Sequence, residues 1–235
     1  MKWPGTGRLD GSDRSVVNDS LGVAVAVGAY GVSFGAISTA SGLTVLQTCL
    51  LSLLVFTGGS QFAFIGVVAA GGNPATGAVT ATLLGVRNMF YGITLAPLLR
   101  LSGWRRWAAA QVVIDESTAM AVTRTSSRQA RLGFFVTGIG VFVLWNLFTL
   151  LGAIAGESLG DPRAYGLDAA VGAAFLGLVW PRLTSGLARA VALAGAAAAA
   201  GLVPVTSAGL PIVLGGGVAV LLGLALGRRL PGGDA

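Results

Sequence analysis

Apolar runs recur along almost the whole of this 235-residue chain, and the short loops between them carry most of its charge. Leu21–Thr39, Ala75–Leu99, Gly133–Ala155, Leu187–Val203 and Gly209–Leu226 are each long enough to cross a hydrocarbon layer as a helix, which needs about 17–25 residues. Gly166–Val179 is a shorter and weaker sixth. Inside lipid, backbone polar groups must be satisfied within each segment, and an open sheet cannot do that. The pattern therefore predicts an all-α fold, a polytopic integral membrane helix bundle. Only 10% of the residues are charged and the mean hydropathy is +0.80, whereas a soluble domain carries about 25% charge. Thirty-seven glycines suit helices that approach closely through small residues. Residues 1–20 read as a polar cytoplasmic tail ahead of an uncleaved first span, 21–227 as a single transmembrane domain, and 228–235 as a second cytoplasmic tail.

The charge balance excludes several functions. The net charge of +6 does not mark a nucleic-acid binder, because the basic residues sit in loops between apolar runs rather than on one water-soluble face. Histidine is absent, which removes His-based catalytic triads, proton relays and metal ligands. Lys2 is the only lysine, so no phosphate-binding lysine or Ser–Lys dyad can lie in the membrane. Cys49 stands alone, so no intrachain disulfide forms. The chain reads as neither an enzyme nor a holder of a metal or cofactor.

Two segments are too interrupted to be simple spans. Leu43–Ala70 is broken by Thr57-Gly58-Gly59-Ser60-Gln61, which predicts two half-helices with Ser60 as the N-cap of the second. Asn73-Pro74 then caps Ala75–Leu99. Trp107–Val122 carries Asp115 and Glu116 near its centre. If both interrupted segments fail to cross, every Lys and Arg except Arg87 and Arg163 lies on the cytoplasmic side, as the positive-inside rule requires. The acidic loop with Glu157, Asp161 and Asp168 then lies outside. This arrangement has six full spans, two partial or re-entrant elements and both termini in the cytoplasm.

Arg87 is the sharpest feature, because a charge midway along a span costs about 2.5–3.5 kcal/mol on insertion scales. It needs an anionic partner, from the protein or from a substrate. Thr80, Arg87, Tyr91 and Thr94 fall within a helical stripe about 60° wide. Asp115 is the better candidate partner or proton carrier, since Gln111, Asp115 and Thr118 share one face while Glu116 points roughly 140° away. At the Gly58-Gly59-Ser60-Gln61 break, free amides and a positive helix end suit a carboxylate. Asn88 adjoins the motif arginine, and Asn146 with Thr149 adds a polar contact or an interhelical hydrogen bond. Gly31/Gly35 and Gly223/Gly227 match GxxxG, for which packing is the default reading.

The run Phe56-Thr-Gly-Gly-Ser-Gln-Phe62, then Arg87-Asn-Met-Phe-Tyr91-Gly-Ile-Thr-Leu-Ala-Pro97, then Asp115-Glu116, resembles the AzlC family. The likeness runs over roughly residues 20–180. It implies a bacterial plasma-membrane subunit that exports branched-chain and related apolar amino acids, driven by the proton gradient. It also implies a small AzlD-type membrane partner, with higher oligomers of that two-subunit unit as a further option. The family commonly places a histidine after the motif arginine, and here that residue is Asn88, so a histidine proton role at that position does not carry over. A passive channel, or a scaffold whose partner completes the path, is the alternative.

Overall fold

The structure is a computed structural model that describes residues 11–158, 176, 179–180, 183–206 and 209–227. Its elements are α1 (Gly11–Ala29), α2 (Gly31–Ala40), α3 (Val45–Leu54), α4 (Gly59–Ala69), α5 (Pro74–Gly85), α6 (Arg87–Leu99), α7 (Trp104–Ala110), α8 (Asp115–Val122), α9 (Ser127–Ser158), α10 (Gly186–Leu202) and α11 (Leu210–Gly227). Among the described residues there is no strand. Two continuous stretches, Gly11–Ala40 and Ser127–Ser158, are long and apolar enough to cross a membrane.

Several boundaries differ from the sequence reading, each for a local reason. Helix α1 begins at Gly11, inside the segment expected to be a tail. Asp13 is only 2% exposed there, because Arg128 Nη2 pairs with it at 2.6 Å, and Arg124 Nη2 holds Asp19 at 3.0 Å. The polar first half of α1 is thereby fastened to α9. In the first interrupted segment, Gly58 and not Ser60 precedes the helix, with a φ of +58 that favours glycine. Ser60 lies in the first turn of α4, 1% exposed. Ala75–Leu99 is not one helix: Val86 separates α5 from α6, next to Gly85, and Arg87 opens the second piece. Trp107–Val122 is likewise divided at residues 111–114, so Asp115 and Glu116 begin α8 instead of lying mid-helix. Ser117 stabilises that start. Its Oγ accepts from Ile114 N at 3.1 Å and donates to Val112 O at 2.7 Å. Asn73 caps α5 as expected, its Oδ1 accepting from Ala75 N at 2.8 Å.

Helices α1–α2 and α9 run side by side in the same direction. Val16 faces Gly133, Ala24 faces Gly140, Gly28 faces Leu144 and Gly35 faces Thr149. At Gly31, Gly35, Gly152 and Gly156 an added Cβ would run into the backbone or side chain of the opposing helix, so the first GxxxG pair is a packing seam. In the second pair, an added Cβ on Gly223 meets nothing within 4 Å.

Neighbour contacts also trace the interrupted segments. Helix α3 leaves the far end of α2 and descends until Ser52 Oγ meets Thr149 Oγ1 at 3.4 Å. Helix α4 then lies against α2, with the Phe62 ring 5.6 Å from Phe34. Helix α5 packs antiparallel on α4, Gly77 against Phe64 and Gly85 against Ser60. Helix α6 continues away and ends with Leu95 and Leu99 in one cluster with Ala130 and Phe134, near the start of α9. Thus α5–α6 runs the full length of the bundle, and α3–α4 enters and leaves by one end. Helices α7 and α8 mirror this from the opposite end: Val112 reaches up to Gly138, and Met120 returns to Gly133. Residues 45–99 and 104–158 therefore repeat one plan, a dipping helical pair followed by a full-length helix, in opposite directions.

The expected Gly166–Val179 span, apart from Leu176 and Val179, and the loop residues Asp161, Arg163 and Asp168 lie outside the described residues. Helices α10 and α11 pack on each other through Gly195 against Ala219 and Gly215 against Ala199. Gly209 joins them to Val67 and Thr76.

Candidate functional site

The two dipping pairs meet tip to tip at mid-bundle. Gln111 Nε2, in the α7–α8 break, donates to Leu53 O at the end of α3 at 2.8 Å. Arg87, at the α5–α6 interruption, reaches into the same junction. Its Nη2 lies 3.2 Å from Asp115 Oδ2 and donates to Thr57 O at 3.3 Å. The guanidinium also lies against Gly59, where a Cβ would sit 3.3 Å from Nη2. Three discontinuities in the helices thus converge on one cation. Both sides of the ion pair are about a quarter exposed, so the pair faces open space rather than sealed core.

That space is a cavity of about 330 Å³, at the small end of the range for small-molecule sites. Gly58, Gly59, Arg87, Asp115 and Glu116 supply its polar wall, and Tyr30, Phe56, Phe62, Ile114, Val141 and Trp145 its apolar wall. The rings interlock, with Tyr30 5.8 Å and Trp145 6.2 Å from Phe62. Phe56, Phe62 and Trp145 are each less than 5% exposed, which makes this wall continuous with the core.

Glu116 lines the cavity beside Asp115, although helical geometry alone directed it away. The reason is that both open α8 at the break and both face the junction. Ser60 and Gln61 line a separate groove of about 380 Å³ on the other side of the break, which shares only Thr57 with the cavity. Gln61 holds the break together: its Oε1 accepts from Gly58 N at 3.2 Å and its Nε2 donates to Leu51 O at 3.4 Å. Asn88, Tyr91 and Asn146 line neither space. Asn146 Nδ2 donates back to Phe142 O, one turn earlier, at 2.7 Å. The anticipated stripe of polar residues also divides, since Thr80 is buried while Thr94 is exposed and donates to Phe90 O. Thr57 and the aromatic wall escaped the sequence reading. An aromatic ring in an apolar run carries no contrast, and a carbonyl carries none at all.

A family model described as AzlC protein matches residues 22–159, the stretch that holds both dipping pairs and the Arg87–Asp115 pair. The chain belongs to the AzlC family. It is accordingly a protein of a membrane family, one of whose members is named for branched-chain amino acid transport. Inner membrane protein YgaZ of Escherichia coli is 27% identical over 85% of this chain and 84% of its own length. An uncharacterized membrane protein of Archaeoglobus fulgidus is 30% identical over 76% of this chain and 80% of its own. The branched-chain amino acid transport protein AzlC of Bacillus subtilis is 23% identical over 62% of this chain. The matched region is 58% of that protein, and 56% of an uncharacterized membrane protein from Haemophilus influenzae. No solved structure matches the chain.

Proposed function

We propose that this AzlC-family chain is a secondary transporter subunit that exports branched-chain or related apolar amino acids, coupled to the proton gradient. The observation that carries the proposal is the cavity: one cation–carboxylate pair set against a wall of buried rings. An apolar amino acid is a zwitterion with a greasy side chain, and its three parts match those three features. The substrate carboxylate takes the place of Asp115 beside Arg87. The Gly59 amide supports it, being one of the N–H groups that a helix start leaves without an acceptor in the helix. The substrate ammonium turns to Asp115, and the side chain lies among Phe56, Phe62 and Trp145.

On this proposal the chain has six full spans and two partial or re-entrant elements, the site lies at mid-bilayer, and both termini face the cytoplasm of a bacterial cell. Opposed repeats that meet at broken helices are how secondary transporters expose one site alternately to either side. A small AzlD-type membrane subunit is the proposed partner. The test uses the full chain, purified with any subunit that stays bound and reconstituted in proteoliposomes. Saturable flux of leucine, isoleucine or valine is expected. Arg87→Ala and Asp115→Asn should each lose it while keeping the size-exclusion profile of the parent. Parental rates in both variants would end the proposal.

A further inference from the structure

Arginine and tryptophan crowd the corner between α6 and α7. Arg100, Arg105 and Arg106 lie close together in sequence, and all three are exposed. Trp104 and Trp107 share one face of α7 and are 74% and 82% exposed. The Arg105 guanidinium stands 6.0 Å from the centre of the Trp104 ring. No Asp or Glu occurs between Asp19 and Asp115 in the sequence. The end of α6 packs near the start of α9, where Arg124 and Arg128 are paired with Asp19 and Asp13. Among the described residues, no carboxylate is paired with Arg100, Arg105 or Arg106.

Depth decides what meets this corner. Helix α6 is 13 residues long from Arg87 and Arg100 follows it, a rise of about 20 Å. The inference rests on the proposed placement of Arg87 at mid-bilayer. A hydrocarbon layer about 30 Å thick then ends before Arg100, so the corner lies among the headgroups. We infer that it binds the headgroup of an anionic phospholipid. The three guanidiniums take the phosphate, and the two indoles lie beside the upper acyl chains, the depth at which amphipathic rings settle. A phospholipid brings negative charge and hydrocarbon together there. An acidic soluble protein covers the arginines alone and leaves the indoles to lipid. The consequence reaches the site, because α7 is the first arm of a dipping pair. Ala109 is 4% exposed and sits with Val112 in the cluster that holds Leu95 and Leu99. Gln111 Nε2 then donates to Leu53 O at 2.8 Å, and Asp115 opens α8 after the break. A lipid held by Arg105 and Arg106 steadies that arm, and with it the carboxylate beside Arg87.

The test follows thermal unfolding of the full chain in detergent as phosphatidylglycerol or phosphatidylcholine is added. Phosphatidylglycerol should raise the midpoint saturably, and less at high salt, whereas phosphatidylcholine should not. Arg100→Gln, Arg105→Gln and Arg106→Gln should each raise the half-saturating concentration of phosphatidylglycerol about fivefold. Replacing Trp104 and Trp107 together by leucine should weaken binding and leave its salt dependence in place. Arg14→Gln removes an exposed charge from the same end, beside the Asp13–Arg128 pair, and should change nothing. Equal weakening by Arg14→Gln would overturn the inference in favour of diffuse surface charge. The same midpoint rise with glycerol 3-phosphate would overturn it in favour of a soluble anion. A parent that ignores phosphatidylglycerol would overturn it too, and would leave the corner to an acidic protein surface. The readout is binding and not flux, so a chain that moved no leucine would still respond to the lipid, and only the substrate reading would fall.

Discussion

Arg87 finds polar partners at mid-bundle because the helices around it are interrupted. A regular helix offers a guanidinium no free acceptor, whereas the α3–α4 break exposes Thr57 O and the α7–α8 break presents Asp115. Gly59 contributes by having no side chain, so the guanidinium lies against its backbone. Glycine has a different purpose in the α2–α9 seam. There a Cβ on Gly35 would run into the Thr149 carbonyl, while one on Gly92 meets nothing within 4 Å. Gly35→Ala should therefore cost about 1–3 kcal/mol through overpacking. Gly92→Ala should leave stability unchanged or slightly raised. Thermal unfolding of both variants in the same detergent checks the contrast, and equal midpoints would refute the seam.

At the scale of an element, the α3–α4 pair depends on one side chain. Gln61 accepts from Gly58 N and donates to Leu51 O, which ties both lips of the break although Gln61 is fully buried. Its replacement by leucine keeps the volume but removes both hydrogen bonds, a loss of about 0.5–1.5 kcal/mol for each. Gln61→Leu is expected to unfold at lower temperature, to speed hydrogen exchange at residues 55–60 and to weaken leucine binding, since Thr57 and Gly59 shift together. Normal exchange rates there would show that the break holds itself. Gln61 entered the sequence reading as a substrate ligand, and its polarity was rightly noticed. Its direction was not, because a glutamine that caps and one that binds a ligand look the same in a one-dimensional pattern.

For the whole molecule, the opposed repeats make a claim about sidedness. Residues near 41 and 72 belong to the end where α3–α4 enters and leaves, and residues near 102 and 125 to the other. Single cysteines at Ser41, Gly72, Ser102 and Thr125, in a Cys49→Ser background, test this with a maleimide that cannot cross membranes. The first two should react in intact cells and the last two only after the membrane is opened. Reaction of positions 41 and 72 from opposite sides would mean that α3–α4 crosses. The same geometry explains why α1–α2 and α9 run parallel: one full-length helix, α5–α6, separates them, together with two pairs that each return to their own side.

The residue pattern by itself determined that this protein is helical, and it singled out Arg87. Long apolar runs leave the backbone no other way to satisfy its hydrogen bonds, and a charge among them stands out because it is so costly. The Gly58-Gly59 break was legible for the same reason, since two adjacent glycines and two polar residues contrast with lipid-facing neighbours. Tertiary structure alone decided what surrounds that charge. Phe56 comes from the α3–α4 break, Phe62 from α4 and Trp145 from α9, and all three look like any other core residues in sequence. Glu116 joined the cavity only because α8 starts where it does, and Ser60 left it because Gly58 turns the chain first. Side-chain direction depends on where a helix is interrupted and on what packs against it, and neither is a property of spacing along the chain.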